Sequence, residues 1–334
     1  MDKYTIYWHD RSKNNAGVKA KEDTVSILRS MGYTILDTPR SRVFKIVYVF
    51  FMYRFIIKRL KPGVLLLQFP SGSPRLRRKL IELTKKNKSI RLVMLVHDIE
   101  AIRTKKGEKE KKSELACLKK ADGIISLNSK MTAYLKNNGI SAQITELEIW
   151  DYINTNDYVK FNGYTKSVCI AGNVRKSQYL SKLRTLNKIY VYGPNFDKNK
   201  ICSSSIIYKG VYTPDDLSKH MFQDFGLIWD GEYVDTCKGE YGEYLKYNNP
   251  HKASLYISSG MPVIVWKNAA IAEFIVKNEI GITIDNLNNL DDLLESVDET
   301  KMSKLRENTK KIGKLLREGY FLKRAVKKME RKLM

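Results

Sequence analysis

Residues 247–265 read YNNPHKASLYISSGMPVIV. A polar turn, Tyr247 to Pro250, runs into a helical stretch, then a small-residue turn (Ser258, Ser259, Gly260), then Pro262 and the apolar strand 263–265. Pro250 suits a turn or a helix start, because its ring fixes φ and it has no N–H. Such a helix start presents free backbone N–H groups and a partial positive charge, with His251 and Lys252 in its first turn. That arrangement can hold a phosphate. The same letters also suit plain helix–strand packing in any α/β domain, so the surrounding sequence has to decide.

Working outward, short apolar strands alternate with helical stretches on both sides. In the C-terminal half, strands are expected at 167–171, 188–192, 206–208, 225–229, 262–266 and 281–284. Helices are expected at 176–186, 214–221, 251–258 and 269–277, and the stretch 291–334 reads as mostly helical. In the N-terminal half, strands are expected at 4–8, 34–36, 64–68, 91–96 and 123–127, with helices at 20–31, 42–60, 74–86, 110–119 and 129–137. Continuous apolar strands followed by helices predict parallel sheets covered on both faces. A chain of 334 residues exceeds the usual single core. The polar, aromatic stretch 152–166 reads as a linker. The expected fold is therefore α/β with two Rossmann-like domains, 1–151 and 152–316, the end of the chain (317–334) returning to the first. Ligands of such sheets bind at the carboxyl ends of the strands, so two facing sheets would enclose a cleft.

The net charge of +24 attracts anions such as nucleic acid, acidic lipid or a phosphorylated substrate. Its wide spread along helix faces, and the lack of a helix-turn-helix, RRM or zinc pattern, make a nucleic-acid-binding protein the weaker alternative. No nucleic-acid partner is expected. The four cysteines (117, 169, 202 and 237) form no CxxC, so free thiols are expected and a metal site is not. Asp2, Lys3 and His9 argue against a signal peptide, and a cytoplasmic protein is expected. The segment 43–57, VFKIVYVFFMYRFII, has an uninterrupted apolar run only over 46–53, far short of the roughly 20 residues of a spanning helix. It reads as an amphipathic helix buried against a sheet or a partner. A homo-oligomer, dimer or tetramer, is favoured over peripheral contact with the inner face of a membrane, although the basic flanks Arg40, Arg42, Lys58, Arg59 and Lys61 suit both.

Chemistry-bearing residues gather at strand ends. Asn14, Asn15, Ala16 and Gly17 form a small-residue turn after the first strand, without a GxGxxG or P-loop pattern. His97 and Asp98 follow the strand 91–96, where either could act as general base, or Asp98 could simply cap the next turn. Gly172, Asn173, Arg175 and Lys176 follow 167–171 with a tight turn and fixed positive charge. Tyr192 and Gly193 close the next strand, with Tyr192 able to stack on a flat base. Trp229, Asp230 and Gly231 close a third. Glu273 could accept both hydroxyls of a ribose or lie exposed on its helix.

Taken together, NNAG (14–17), VHDIEAIR (96–103), ADGIISLNSKMTAYLKNNGI (121–140), AGNVRKS (171–177), YGP (192–194) and NNPHKASLYISSGMPVIVWK (248–267) resemble the GT-B glycosyltransferases. More closely, they resemble the bacterial glucosyltransferases that extend O-linked GlcNAc on serine-rich repeat adhesins, whose relatives are often labelled galactofuranosyltransferases. The resemblance implies metal-independent transfer of a hexose, glucose first, from a UDP-sugar to a GlcNAc-modified protein. The alternative acceptor is a cell-surface polysaccharide intermediate, with UDP-GlcNAc or a galactofuranose donor. No cofactor is implied, since the UDP-sugar is the donor substrate. On this resemblance Tyr192 and Gly193 line the uracil pocket, and Asn248 and Lys252 contact diphosphate or sugar. Glu273 takes the ribose, and Asn15, Ala16 and Gly17 approach the diphosphate and acceptor. Arg175 and Lys252 stabilise the leaving UDP, and Asp98 or His97 is the base if the transfer inverts. One departure stands out: the first carboxylate of an E-x7-E motif is missing, since Val265 lies eight residues before Glu273.

Overall fold

A computed structural model describes residues 1–9, 16–104, 107–201, 203–239 and 241–333. The chain forms two compact units. One is built on Lys21–Leu147 with both ends of the chain, the other on Glu148–Tyr320.

The first unit runs β1 (Asp2–Tyr7), α1 (Ala16–Ser30), β2 (Thr34–Asp37), α2 (Arg42–Val47), a π turn (Tyr48–Met52), α3 (Tyr53–Arg59), β3 (Gly63–Phe69), α4 (Pro74–Lys86), β4 (Ile90–Val96), α5 (Glu100–Arg103), α6 (Glu108–Leu118), β5 (Gly123–Ser126), α7 (Ser129–Asn137) and β6 (Gln143–Glu146). Its sheet is parallel, in the order β2-β1-β3-β4-β5-β6. The central β3 is buried at every residue, which is why its sequence is a nearly unbroken apolar run. Helix starts follow capping chemistry. Ser73 accepts from the Leu76 N–H ahead of Pro74 (3.5 Å), and Asn128 accepts from the Met131 N–H (2.9 Å).

The second unit runs β7 (Val168–Ala171), β8 (Ile189–Tyr192), β9 (Ile206–Tyr208), β10 (Phe225–Ile228), α8 (His251–Ser258), β11 (Val263–Trp266), α9 (Ala272–Lys277), β12 (Gly281–Ile284), α10 (Leu290–Glu295) and α11 (Glu299–Arg317). Its parallel sheet has the order β9-β8-β7-β10-β11-β12. That is the doubly wound order whose direction reverses between β7 and β10, where crevices open at the carboxyl ends. Two glycines bring α8 close to its neighbours. A Cβ on Gly226 of β10 would lie 2.2 Å from the Tyr256 ring of α8, and one on Gly313 of α11 would lie 2.5 Å from the Ile257 carbonyl. The Tyr256 hydroxyl accepts the Ala171 N–H at 2.7 Å, tying the helix to the end of β7.

The last helix, α12 (Tyr320–Leu333), groups almost entirely with the first unit. Glu330 accepts from Lys3 Nζ (2.9 Å) and from the Tyr33 hydroxyl (2.8 Å), and Lys332 donates to the Ile144 carbonyl (2.7 Å).

Three local expectations need correction. The helix expected at 176–186 is two short 3₁₀ turns, Val174–Lys176 and Gln178–Ser181, because the chain there bridges Ser177 to Gly231 instead of coiling on itself. The helix expected at 214–221 is only the 3₁₀ turn Leu217–His220. Strand β6 was not anticipated; it is a short, polar edge strand. The segment 43–57 is helical, and one of its faces is buried, through Tyr48, Val49, Tyr53 and Ile57. Its other apolar face is solvent-exposed.

Candidate functional site

In the second unit, turns after three neighbouring strands meet at the reversal point. After β7 and β8, Gly172 N–H donates to the Tyr192 carbonyl (3.0 Å), and Val174 N–H donates to that of Pro194 (3.0 Å). Gly193 has φ +132°, and a Cβ there would sit 1.8 Å from the Gly172 carbonyl oxygen, so only glycine permits this approach. Across the reversal, Gly231 N–H donates to the Lys176 carbonyl (2.8 Å), and Tyr179 N–H donates to that of Gly231 (3.1 Å). The rim is thus stitched by main-chain bonds, a rigid seat for groups on its surface.

The expected residues fall into distinct roles on this rim. Arg175 is exposed, and its guanidinium has no hydrogen-bond or ion-pair partner among the described residues. Asn173 is structural: its side chain accepts from the Arg175 N–H (3.1 Å) and from Asn195 Nδ2 (2.9 Å). Lys252, in the first turn of α8, forms an ion pair with Asp230 (2.6 Å), donates to the Trp229 carbonyl (3.3 Å) and is largely buried. Its charge is therefore already matched by a carboxylate from the end of β10. Tyr192 is a core side chain. Its hydroxyl donates to the His220 carbonyl (2.9 Å) and accepts from Gln223 (3.0 Å). Burial first, with nearby phenols and a thiol, pushes that hydroxyl above the ordinary phenol range. The stacking face expected of Tyr192 is inside the fold, because β8 is an interior strand.

At the start of α8 lies a group of polar atoms shut off from solvent. Asn248 Oδ1 and both ring nitrogens of His251 have no hydrogen-bond partner among the described residues. The His251 ring stacks on Trp150, with centroids 5.3 Å apart. Burial pushes its pKa down to about 3, so the imidazole is neutral. Sequence reasoning placed His251 in the helix start but did not single it out; its apolar neighbour Trp150 lies a hundred residues away in sequence. Glu273 is exposed in the first turn of α9.

The remaining residues come from the first half of the chain: Ala16 and Gly17 group with the second unit, and His97 and Asp98 with the first. Asn14 and Asn15 are outside the described residues, and Ala16 and Gly17 open α1. His97 and Asp98 follow β4 directly. The His97 N–H donates to the Phe69 carbonyl (2.7 Å), and an Asp98 oxygen faces the Arg103 guanidinium at 3.7 Å. A cavity of about 390 Å³ lies at this sheet's own reversal point, between the ends of β1 and β3. Trp8, Gly72, Arg42, Phe50, Phe51 and Arg75 help to line it. None of these was singled out as a site residue from sequence. The available signal was the acid-free composition of residues 38–81, which hold eleven Lys/Arg and no Asp or Glu. Among the described residues, no group of three His, Cys, Asp or Glu side chains is arranged to hold a metal ion.

Two family models match the chain: the N-terminal domain of glucosyltransferase 3-like proteins over residues 3–149, and the C-terminal domain of the same proteins over 168–329. The chain belongs to the glucosyltransferase 3-like family. Beta-1,6-galactofuranosyltransferase WbbI of Escherichia coli (strain K12) is 30% identical over 318 residues, covering 93% of each chain. Among solved structures, the sucrose-phosphate synthase of Thermosynechococcus elongatus superposes with a TM-score of 0.70 at 12% identity, over 100% of this chain and 99% of that one. Anabaena HepE, solved with UDP and glucose, superposes with a TM-score of 0.59 at 10% identity, over 94% and 95%. The fold is GT-B, and this glucosyltransferase 3-like protein is a hexosyltransferase.

Proposed function

We propose that this enzyme transfers glucose from UDP-glucose to a GlcNAc-modified protein of the serine-rich repeat adhesin type, without a metal ion. The observation that carries the donor side is the glycine-built rim at the β7–β10 reversal, with the exposed guanidinium of Arg175 on it. Arg175, seated on that rim, would face the diphosphate. Lys252, already balanced by Asp230, would add little net charge and would instead hold the start of α8 in place. In the transfer, the bond between the anomeric carbon and the UDP oxygen breaks, and a bond to the acceptor hydroxyl oxygen forms. UDP leaves with the electron pair, and the acceptor proton passes to a base, Asp98 or His97 in an inverting reaction. Positive charge fixed before the reaction stabilises the leaving diphosphate, the task a metal performs elsewhere. Asn248 and His251, with buried polar atoms awaiting partners, suit contact with sugar hydroxyls. Asn15, Ala16, Gly17, Gly172, Gly193 and Glu273 keep the donor roles that the family resemblance implies.

A second donor, UDP-galactofuranose, is favoured by the 30% identity to the E. coli galactofuranosyltransferase over nearly its whole length. Incubation with UDP-glucose, UDP-galactofuranose and UDP-GlcNAc, with a GlcNAc-bearing peptide and EDTA throughout, separates these readings. UDP release with UDP-glucose in EDTA supports the first. Release only with UDP-galactofuranose, or only after a divalent cation is restored, overturns it. UDP alone is expected to raise the melting temperature through linkage, whichever hexose is transferred.

A further inference from the structure

We propose that the outer face of α2, the π turn and α3 docks on an anionic lipid bilayer, with a lipid phosphate seated in the cavity between the ends of β1 and β3. Val43, Phe44, Phe51, Met52 and Phe55 on this face are each more than half exposed. The opposite face is anchored by Tyr48, Val49, Tyr53 and Ile57, and the Tyr53 hydroxyl shares a hydrogen bond with Thr84 (2.9 Å). The apolar residues are therefore presented outward by a rigidly packed helix. Contiguous exposure of this kind marks an interaction surface.

Charge selects the occupant. Arg42, Arg54, Lys58 and Arg59 rim the apolar face, and the whole stretch 38–81 lacks a carboxylate. Asp37, just before it, is taken up by His9 at 2.6 Å. Among the described residues, Arg40, Arg42, Arg54 and Arg75 have no ion-pair partner, although Arg54 lies over the Phe55 ring (4.5 Å) and Arg75 over that of Phe50 (5.4 Å). A second copy of the chain meeting this face about a two-fold axis would bring two such basic rims together. An anionic bilayer instead offers hydrocarbon for the rings and phosphate for the arginines, the setting in which amphipathic helices with basic rims lie.

The cavity provides the headgroup seat. Ser73 caps α4 beside it, Gly72 (φ +63°) lets the Trp8 ring close its floor, and Arg40, Arg42 and Arg75 surround it. A Cβ on Gly72 would lie 2.4 Å from the Trp8 ring. The helix start and three guanidiniums together favour a phosphate. No helix among the described residues is long and apolar enough to cross a membrane, so the contact is to the surface.

The test is co-sedimentation of the full chain with vesicles of phosphatidylcholine alone or mixed with phosphatidylglycerol, at low and raised salt. Binding to the mixed vesicles only, released by salt, is expected. The doubles Phe44→Ser/Phe51→Ser and Arg42→Ala/Arg75→Ala should each lower partitioning by about tenfold or more. Both should keep the wild-type melting temperature and its shift with UDP, which separates this surface from the donor site. No binding to mixed vesicles overturns the proposal. So does a salt-stable dimer in light scattering that Phe44→Ser/Phe51→Ser dissolves, since a second copy would then own the face.

Discussion

Lys252 and Arg175 carry the same formal charge in opposite settings, and their variants should separate accordingly. Arg175 is exposed, so Arg175→Ala should leave the urea midpoint unchanged and lower UDP-sugar turnover by tenfold or more, on the scale of one lost charged contact to a leaving group. Lys252→Ala strands the buried carboxylate of Asp230, and should cost about 3 kcal/mol of folding stability before any effect on transfer is read. The ion pair, formed with a residue 22 positions earlier in the chain, is what sets Lys252 apart from Arg175. A Lys252→Ala protein as stable as wild type, or a fully active Arg175→Ala protein, would remove the distinction. His251 carries a pH signature. Unfolded, it takes a proton below about its ordinary 6.5; folded, only near 3. The stability it supports is complete above 6.5 and drains away as pH falls towards 3. His251→Phe should therefore flatten the acid limb of stability in that window, and leave two fewer orphaned nitrogens at neutral pH. Unchanged acid sensitivity, followed by melting temperature from pH 7 to pH 4 or so, would count against the buried neutral imidazole.

The elements show where sequence reading succeeded and why it stopped. Gly226 is a small residue in an interior strand, and its reason lies in a helix thirty residues on: the Tyr256 ring fills the space a Cβ would need. Gly226→Ala should cost about 1–3 kcal/mol by urea denaturation, as the ring is pushed off its rotamer. A neutral substitution would mean that α8 can slide, and that Tyr256 does not fix the helix on the sheet. The interior strands β3, β4, β7 and β10 were legible because both faces are buried, Arg91 apart, and their letters are nearly all apolar. The edge strand β6, with Gln143 and Glu146 at its ends, gave no such signal. The apolar spacing of Tyr179, Leu180 and Leu183 imitates a helix, yet the segment makes 3₁₀ turns because Asn173 and Gly231 recruit its backbone. Periodicity reports which side chains are buried, not which partner takes the N–H. The same gap explains Tyr192: its place at a strand end was readable, but its inward direction depends on Gln223 and His220 arriving from another strand's approach. The rim glycines were legible as turns, though the 1.8 Å reason for Gly193 was not.

At the scale of the whole molecule, the net charge of +24 either steers the anionic donor or merely keeps helix faces solvated, and the two make different kinetic predictions. Many of the cations are already engaged: Lys3 with Glu330, Lys85 with Asp122, Lys252 with Asp230 and Arg306 with Asp224. Those pairs contribute little to the far field. If the remaining excess acts on the donor, kcat/KM for the UDP-sugar should fall several-fold as salt rises through the range where the Debye length shrinks from about 30 Å to about 8 Å. The fall should appear mainly in kcat/KM, because steering acts on encounter rather than on the bound complex. Arg175→Ala should keep much of that salt dependence while lowering its starting value, since it removes one near contact and leaves the distant charge intact. Stopped-flow or initial-rate measurements in sodium chloride, with wild type and Arg175→Ala side by side, separate the two contributions. A kcat/KM indifferent to salt would assign the excess charge to solvation and to surfaces such as the α2–α3 face, leaving the donor site to work through the local geometry of its glycine rim alone.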